Sequence, residues 1–199
     1  MSAAAVVAAL SAGGCGGGGS EPEVPAATLP TAPLATTTTN PYAVPAVIDE
    51  AYVNRVLAGL DHANGDVLRL VVSRRTIPPE VIPQLKAIYF DEKLLQEVVD
   101  GLQGQLLRGV EGLRNPPGNQ RTTVVELITA EPDCIFAKTD ADASAVAVSP
   151  EPSFNTQWVG LISAERAGRP VDQYPTGWGF VYEGFTRDFS APPNPCDTY

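Results

Sequence analysis

The chain has 199 residues, which suffices for one domain or a small pair, and its formal net charge is −10. No run of basic residues occurs, so nucleic acid and anionic lipid surfaces are poor partners for it. Roughly the first 44 residues are almost wholly Ala, Gly, Pro, Thr, Ser and Val, which leaves about 150 for a single domain, residues 45–199, with a core of its own.

The chain starts with an apolar segment, Met1–Leu10, that is much too short to cross a membrane as a helix. Four small residues, Ser11–Gly14, follow it and immediately precede Cys15. This arrangement resembles the signal segment (residues 1–15) of bacterial lipoproteins, which is cleaved before a cysteine that then receives a diacylglyceryl group. The resemblance implies removal of residues 1–14, a lipid on Cys15 and attachment to the outer face of the cell membrane.

The basic residues of an export signal are missing, since no Lys or Arg occurs before Arg55. Two explanations stay open. Either the start codon lies upstream, or the segment is only an Ala-rich end of the chain.

Residues 16–44 have the composition of a tether. Gly16–Gly19 is followed by Pro, Ala and the run Thr36–Thr39, and such a segment cannot bury enough apolar surface to offset its ordering entropy. As a loose coil of roughly 30 residues it would span on the order of 30 Å. We expect a disordered tether that holds a domain above the lipid headgroups.

The three cysteines predict a redox state. With a lipid on Cys15, Cys134 and Cys196 remain, and in an oxidising compartment two such cysteines most often form a disulfide. The alternative is two unrelated thiols. Neither cysteine has a second ligand at the spacing of a zinc site, so we expect no metal.

The domain is predicted to begin with helices. From Pro45 apolar residues recur at intervals of three and four, and Asn64-Gly65 is expected to end this first helix. The stretch Asp66–Arg75 is compatible with helix or strand. After a break at Ile77–Pro79, residues 79–90 are predicted to form a further short helix.

The longest helix is predicted to run from Asp91 to about Arg114, with a narrow apolar stripe. Three glycines, Gly101, Gly109 and Gly112, fall to one side of that stripe. Glycine in a helix costs up to about 1 kcal/mol against Ala, so we expect another backbone to approach closely there.

Beyond residue 119 the apolar period changes to two, which indicates strands. The predicted strands are residues 122–129, 134–139, 145–148, 156–163 and 177–185. Residues 131–133 are expected to turn between the first two strands, 140–142 to form the next turn, and 165–176 to form a loop at the mouth of a site. Helices followed by strands predict an α+β domain with helices on one face of an antiparallel sheet.

Aromatic residues form the most suggestive surface. Trp178, Phe180 and Tyr182 alternate along one strand and should share a face, and Trp158 is expected to join them from the neighbouring strand. One interpretation is a ligand pocket between a curved sheet and the long helix. The other is ordinary core. His62, the only histidine, has no accompanying nucleophile motif, and no catalytic residue is predicted.

Helices followed by a curved antiparallel sheet resemble the NTF2-like (SnoaL-like) cone fold. Three short motifs also resemble actinobacterial lipoproteins of unknown role: Thr123-Val124-Val125, Cys134-Ile135-Phe136 and Asn194-Pro195-Cys196. The resemblance implies the cone fold and an envelope location. Enzymes of this fold often use an Asp or His in the cavity, but no position here can be matched to one.

The leading hypothesis is an extracytoplasmic lipoprotein whose domain binds a small apolar ligand or an envelope protein without chemistry and without a cofactor. The alternative is an NTF2-like hydrolase, isomerase or cyclase that uses a buried acid such as Glu126 or Glu183. A third hypothesis is a structural envelope protein that forms a homodimer through the open face of its sheet.

Overall fold

The computed structural model describes residues 40–149, 156–184 and 190–199. Within them three helices pack on a four-stranded sheet, which confirms the predicted α+β class. Each strand is antiparallel to its neighbours, and the spatial order follows the sequence order. The elements are α1 (Glu50–Arg74), α2 (Val81–Lys86), α3 (Glu92–Leu107), β1 (Arg121–Glu131), β2 (Cys134–Asp142), β3 (Thr156–Ser163) and β4 (Trp178–Gly184).

Asp49 caps the N-terminus of α1, and its carboxylate accepts a hydrogen bond from the Tyr52 N–H at 2.8 Å. The predicted end at Asn64-Gly65 is wrong, because α1 continues to Arg74. Val67 and Val71 extend the buried stripe beyond that point, and their burial outweighs the cost of one helical glycine. Gly65 also has a packing role, since the Asn119 side chain occupies the space that a Cβ atom would take.

The second predicted helix is shorter than expected. It ends at Lys86, and after a turn Tyr89 forms a single parallel bridge with Phe180 of β4. The Phe90 N–H donates to the Phe180 carbonyl, and the Phe180 N–H donates to the Ile88 carbonyl, both at 2.8 Å. These bonds cover the free edge of β4 and fix Tyr89 against the sheet.

Helix α3 begins at Asp91 as predicted, with the carboxylate accepting from the Leu94 N–H at 2.8 Å. It ends at Leu107 rather than near Arg114, because Gly109 and Val110 adopt left-handed backbone with φ of 74° and 57°. With 16 residues it is also shorter than the 25-residue α1.

The glycines of α3 do not mark a close backbone approach, so that prediction is wrong. Among the described residues no heavy atom lies within 4 Å of a Cβ built on Gly101, and the nearest to Gly112 is a Gln105 side-chain oxygen at 3.9 Å. Gly109 is required instead for its positive φ.

Two of the strand boundaries differ from the prediction. Residues 145–148 form a turn with a single bridge between Ala147 and Leu113 rather than a strand. Asp140 and Asp142 belong to β2 rather than to a turn, and the Asp140 carboxylate accepts from the Thr156 hydroxyl of β3 at 2.7 Å. The turn at residues 131–133 and the antiparallel β1–β2 pairing are confirmed.

The sheet has two faces that are covered differently. The helix face packs against α1, α2 and α3 and contributes most of the core, including Ile135, Val159 and Leu161. The tail face carries Cys134, Phe136 and Gly160, and residues 194–199 lie against it.

A disulfide and an arginine hold the tail. Cys134 and Cys196 are placed for a disulfide, with Cα atoms 5.7 Å apart, as predicted. The Arg166 guanidinium donates to the Cys196 and Tyr199 main-chain oxygens at 2.9 and 3.0 Å, and it also pairs with the Asp133 carboxylate at 3.1 Å. The tail is therefore fastened at several points along its length.

Cys15 and the predicted tether as far as residue 39 lie outside the described residues. Tyr42, which falls within the range expected as tether, packs against the core, and its carbonyl accepts from the Tyr52 hydroxyl at 2.9 Å. No helix in the described part of the chain is long and apolar enough to cross a membrane.

Candidate functional site

A cavity of about 260 Å³ lies on the helix-covered side of the molecule. Its walls come from α1, α3 and the segments around residues 89, 120 and 146. The apolar lining residues are Val67, Leu68, Val98, Leu102 and Val146, and the polar ones are Asp61, Asn64, Tyr89, Gln105 and Gln120. A mostly apolar pocket with a few convergent polar groups is typical of a small-molecule site. Its volume lies just below the roughly 300–1,000 Å³ of drug-sized sites, which suits a smaller ligand.

Asp61 is the charged group of the cavity wall. It lies four residues after Leu57 on the buried stripe of α1 and is only 7 % exposed. Its two carboxylate oxygens accept from the backbone N–H of Thr122 at 2.6 Å and from the hydroxyl of Thr122 at 3.0 Å. The carboxylate thereby satisfies an outward-facing donor of β1 and is held in one orientation by it.

Tyr89 forms the next part of the wall. The backbone bonds on either side of it place its ring on the Phe180 ring, with centroids 5.6 Å apart. Its hydroxyl accepts from the Asn64 side-chain amide at 2.5 Å. The phenol is thus fixed from two directions, and it presents a polar atom beside the cavity.

Glu183 stands behind this wall rather than in it. A β-bulge between β3 and β4 leaves Val181 unpaired, so that Tyr182 lies opposite Gly160 and Glu183 opposite Val159. Glu183 therefore points to the helix face, where its carboxylate accepts from the Gln157 amide at 3.4 Å. The residue is partly exposed, but its carboxyl lies in a desolvated setting.

Burial raises the pKa of all three acidic groups, and a neighbouring negative charge adds to the shifts of Glu183 and Tyr89. Burial raises the pKa of Asp61 to about 6, against which the hydrogen bonds from Thr122 act. Burial and the negative charge of Asp61 raise the pKa of Glu183 to about 7. Burial together with the charge of Glu183 raises the pKa of Tyr89 well above its ordinary value. The two carboxyls form a coupled pair that binds or releases protons near neutral pH.

A larger surface depression of about 560 Å³ lies among residues 40–44, 132–133 and the loop predicted for a site mouth. Two of its charged side chains are paired with each other, since Arg166 binds Asp133, and Arg166 is further occupied by the tail. The smaller cavity is therefore the better candidate site, because it joins an apolar pocket to acidic groups with raised pKa values.

The four aromatic residues proposed for a ligand pocket do not share one surface. Trp178 and Phe180 are buried on the helix face, where the Trp178 indole donates to the Tyr52 hydroxyl at 2.8 Å. The bulge turns Tyr182 to the tail face. The prediction that Trp178, Phe180 and Tyr182 share one face is therefore wrong. Trp158 also lies on the tail face, stacked on Phe136. Of the four, Phe180 touches the cavity wall through Tyr89.

The two acids named as candidates for an enzyme, Glu126 and Glu183, also lie in different places. Glu183 is on the helix face, whereas Glu126 is exposed on β1. His62 is exposed on α1 and contacts Asn119 and Asp66. In the described part of the chain no group of three or more His, Cys, Asp and Glu side chains is placed to hold a metal ion.

Asp61, Tyr89 and Asn64 were not singled out as site residues from sequence. A signal for Asp61 exists, because an acid at the spacing of the buried stripe of α1 must be desolvated or paired. Tyr89 has no such signal, since its position depends on pairing with a strand some 90 residues later.

The chain matches no protein-family model, no curated protein and no solved structure.

Proposed function

We propose that the domain binds a small, largely apolar ligand in the cavity between α1 and α3, without chemistry on it. The observation that carries this proposal is the cavity itself: apolar side chains on α1 and α3 face a polar end formed by Asp61, Asn64 and Tyr89. The polar end is oriented by hydrogen bonds from Thr122 and Asn64, and such preorganisation favours binding.

We further propose that the protein is an extracytoplasmic lipoprotein, anchored by a lipid on Cys15 to the outer face of the cell membrane, with an NTF2-like domain on a flexible tether. The placement of Cys134 and Cys196 for a disulfide supports an oxidising compartment. Cys15→Ser should move the protein from the membrane fraction to the soluble fraction. Retention in the membrane would contradict the anchor.

The binding proposal is tested by blocking the cavity. Gly101 lines it, and a side chain added there meets no described atom within 4 Å of its Cβ. We therefore expect Gly101→Phe to place a ring at the cavity wall, and urea titration should confirm that this variant remains folded. Gly104→Phe is the matched control, because Gly104 is on the same helix but does not line the cavity.

The readout is ligand-observed NMR with a fragment library in which each hydrocarbon skeleton occurs as an amine, an alcohol and a carboxylate. We expect fragments that bind the wild-type protein and Gly104→Phe but lose binding to Gly101→Phe. If no fragment shows this pattern, the cavity is not a binding site.

One observation favours a second function, an enzyme of the cone type. Burial raises the pKa of Asp61 to about 6 and, together with the charge of Asp61, raises the pKa of Glu183 to about 7, which is the range in which general acids and bases work at neutral pH. Under this alternative Asp61, which lines the cavity, is the general acid or base. Conversion of a cavity-bound fragment to product, abolished in Asp61→Asn, would support it; return of every bound fragment unchanged favours binding alone.

A further inference from the structure

The charged groups that line the cavity or perturb its lining are acidic. The Arg69 guanidinium lies close to Gly65 of the lining, but it is already bonded to the Asp66 carboxylate and the Asn119 side chain. The ionisable groups facing the cavity are Asp61 from α1 and Tyr89 from the segment before α3, with Glu183 of β4 behind them. Helix α3 contributes no ionisable group to the lining: its residues there are Val98, Gly101, Leu102 and Gln105. Among the described residues that line the cavity, none carries a positive charge.

This arrangement leaves the negative charge of the carboxylates without a positive partner in the cavity wall. Burial, and after it the negative charge of Asp61, raises the pKa of Glu183, and no cationic side chain among the lining residues offsets this negative charge. A buried carboxylate is stable when it is paired with a cation or when it keeps its proton. A ligand that brought a positive charge would supply the pairing that the wall lacks.

Asp61 also has unused acceptor capacity. Each of its oxygens accepts one hydrogen bond from Thr122, whereas an ionised carboxylate offers about four acceptor positions. The carboxylate is held in place by those bonds and lines the cavity. It can therefore receive further donors from a ligand without giving up its contacts with β1.

We propose that the ligand of this cavity is a small amine, whose ammonium group donates hydrogen bonds to the Asp61 carboxylate while its hydrocarbon part packs on Val67, Leu68 and Leu102. The inference rests on the proposed binding function and adds the class of the ligand. Glu183, which does not line the cavity but whose charge acts on Tyr89, also attracts this ammonium group. A carboxylate ligand would add a third negative charge, and an alcohol would leave the carboxylates without a positive partner.

The test uses the matched amine, alcohol and carboxylate of each skeleton that passes the cavity criterion, with dissociation constants measured at pH 8 by calorimetry. We expect the amine to bind at least about tenfold more tightly than its alcohol, which corresponds to one charge-assisted hydrogen bond. We expect the carboxylate to bind least.

Failure of the class is separate from failure of the site. If cavity-specific fragments exist but alcohols or carboxylates bind as well as amines, the amine assignment is wrong and the binding site remains. If no fragment is cavity-specific, both are wrong.

The role of Asp61 is tested with Asp61→Asn, which can still accept the Thr122 N–H and donate to its hydroxyl. We expect amine affinity to fall at least about tenfold while alcohol affinity stays within about twofold. Glu126→Gln, which removes one exposed charge from β1, is the control and should leave both unchanged.

Should Asp61→Asn fail to fold, Glu183→Gln serves instead, because glutamine can still accept from Gln157. It should also weaken the amine selectively. Equal losses for amine and alcohol in either folded variant would overturn the assignment.

Discussion

The two faces of the sheet are covered by different physical means. On the helix face, side chains from α1 to α3 bury a continuous apolar core, and that core is extensive enough to include two carboxyls and a phenol. On the tail face a short segment lies over the strands, held by a disulfide and by Arg166. A small apolar cluster that includes Cys134 and Ile162 is buried there too, and because the short segment adds little apolar area, specific links supplement the packing. The comparison indicates that the tail face relies on a few bonds in addition to a small cluster, whereas function is expected on the face that can desolvate charge.

The largest expected effect comes from removing the link on the tail face. Cys134 and Cys196 are 62 residues apart, and a bridge over such a loop contributes about 4 kcal/mol through the unfolded state. The double variant Cys134→Ala, Cys196→Ala should lose about that much free energy of unfolding in urea titrations.

Hydrogen exchange sharpens this expectation. In the double variant, amides of residues 194–199 should lose protection while those of α1 keep it relative to global stability. Equal loss of protection on both faces would contradict the separation between them.

The next effect concerns the helix face and depends on pH. The pKa of Asp61 rises from 3.8 to about 6 on folding, so the folded protein holds this proton more tightly than the unfolded chain. Stability from this group is therefore highest below about pH 4 and falls by about 3 kcal/mol as the pH rises through about 6.

Asp61→Asn removes this pH-dependent contribution to the free energy of unfolding. The difference in free energy of unfolding between variant and wild type should change by about 3 kcal/mol in favour of the variant between pH 4 and 8. Urea titrations across that range measure it, with Glu126→Gln as control. A difference that does not vary with pH would show that Asp61 is solvated like a surface acid.

How much of this could be predicted from the sequence depends on the range of the interactions. Local signals predicted the helix ends only in part. Asp91 was correctly predicted to start α3, whereas Asn64-Gly65 does not end α1, because Val67 and Val71 beyond it are buried in the core. The turn at 131–133 was local and correct.

The site was less predictable for the same reason. A strict period of two places Tyr182 beside Phe180, but the unpaired Val181 shifts the register and brings Glu183 to the helix face instead. Bulges arise from how two strands fit together, which one strand's sequence does not encode. The position of Tyr89 depends likewise on β4.

A smaller effect is expected from the second fastening of the tail face. Arg166 is only partly exposed and binds both the tail and Asp133. Arg166→Ala should cost about 1–2 kcal/mol of unfolding free energy, less than loss of the disulfide. Chemical denaturation measures this cost, and Arg169→Ala, which contacts Phe90 and Lys86 instead, should leave protection of the tail unchanged.

The smallest effect concerns the end of α3. Gly109 has φ of 74°, so Gly109→Ala should destabilise the domain by about 1 kcal/mol. Gly101→Ala, on regular helix with open space around its Cβ, should stabilise it by up to about 1 kcal/mol. Thermal unfolding compares the two, and the same sign for both would show that helix propensity alone governs these positions.

The central claim is that the helix face holds a desolvated, coupled acid pair beside the cavity. The most direct test is a carbon-13 NMR titration of side-chain carboxyls in the free protein. We expect the pair Asp61 and Glu183 to titrate with apparent midpoints of about 6 and about 7, while Asp142, whose pKa the Ser144 N–H lowers, titrates below the ordinary range. Midpoints near 4 for both Asp61 and Glu183 would contradict the account.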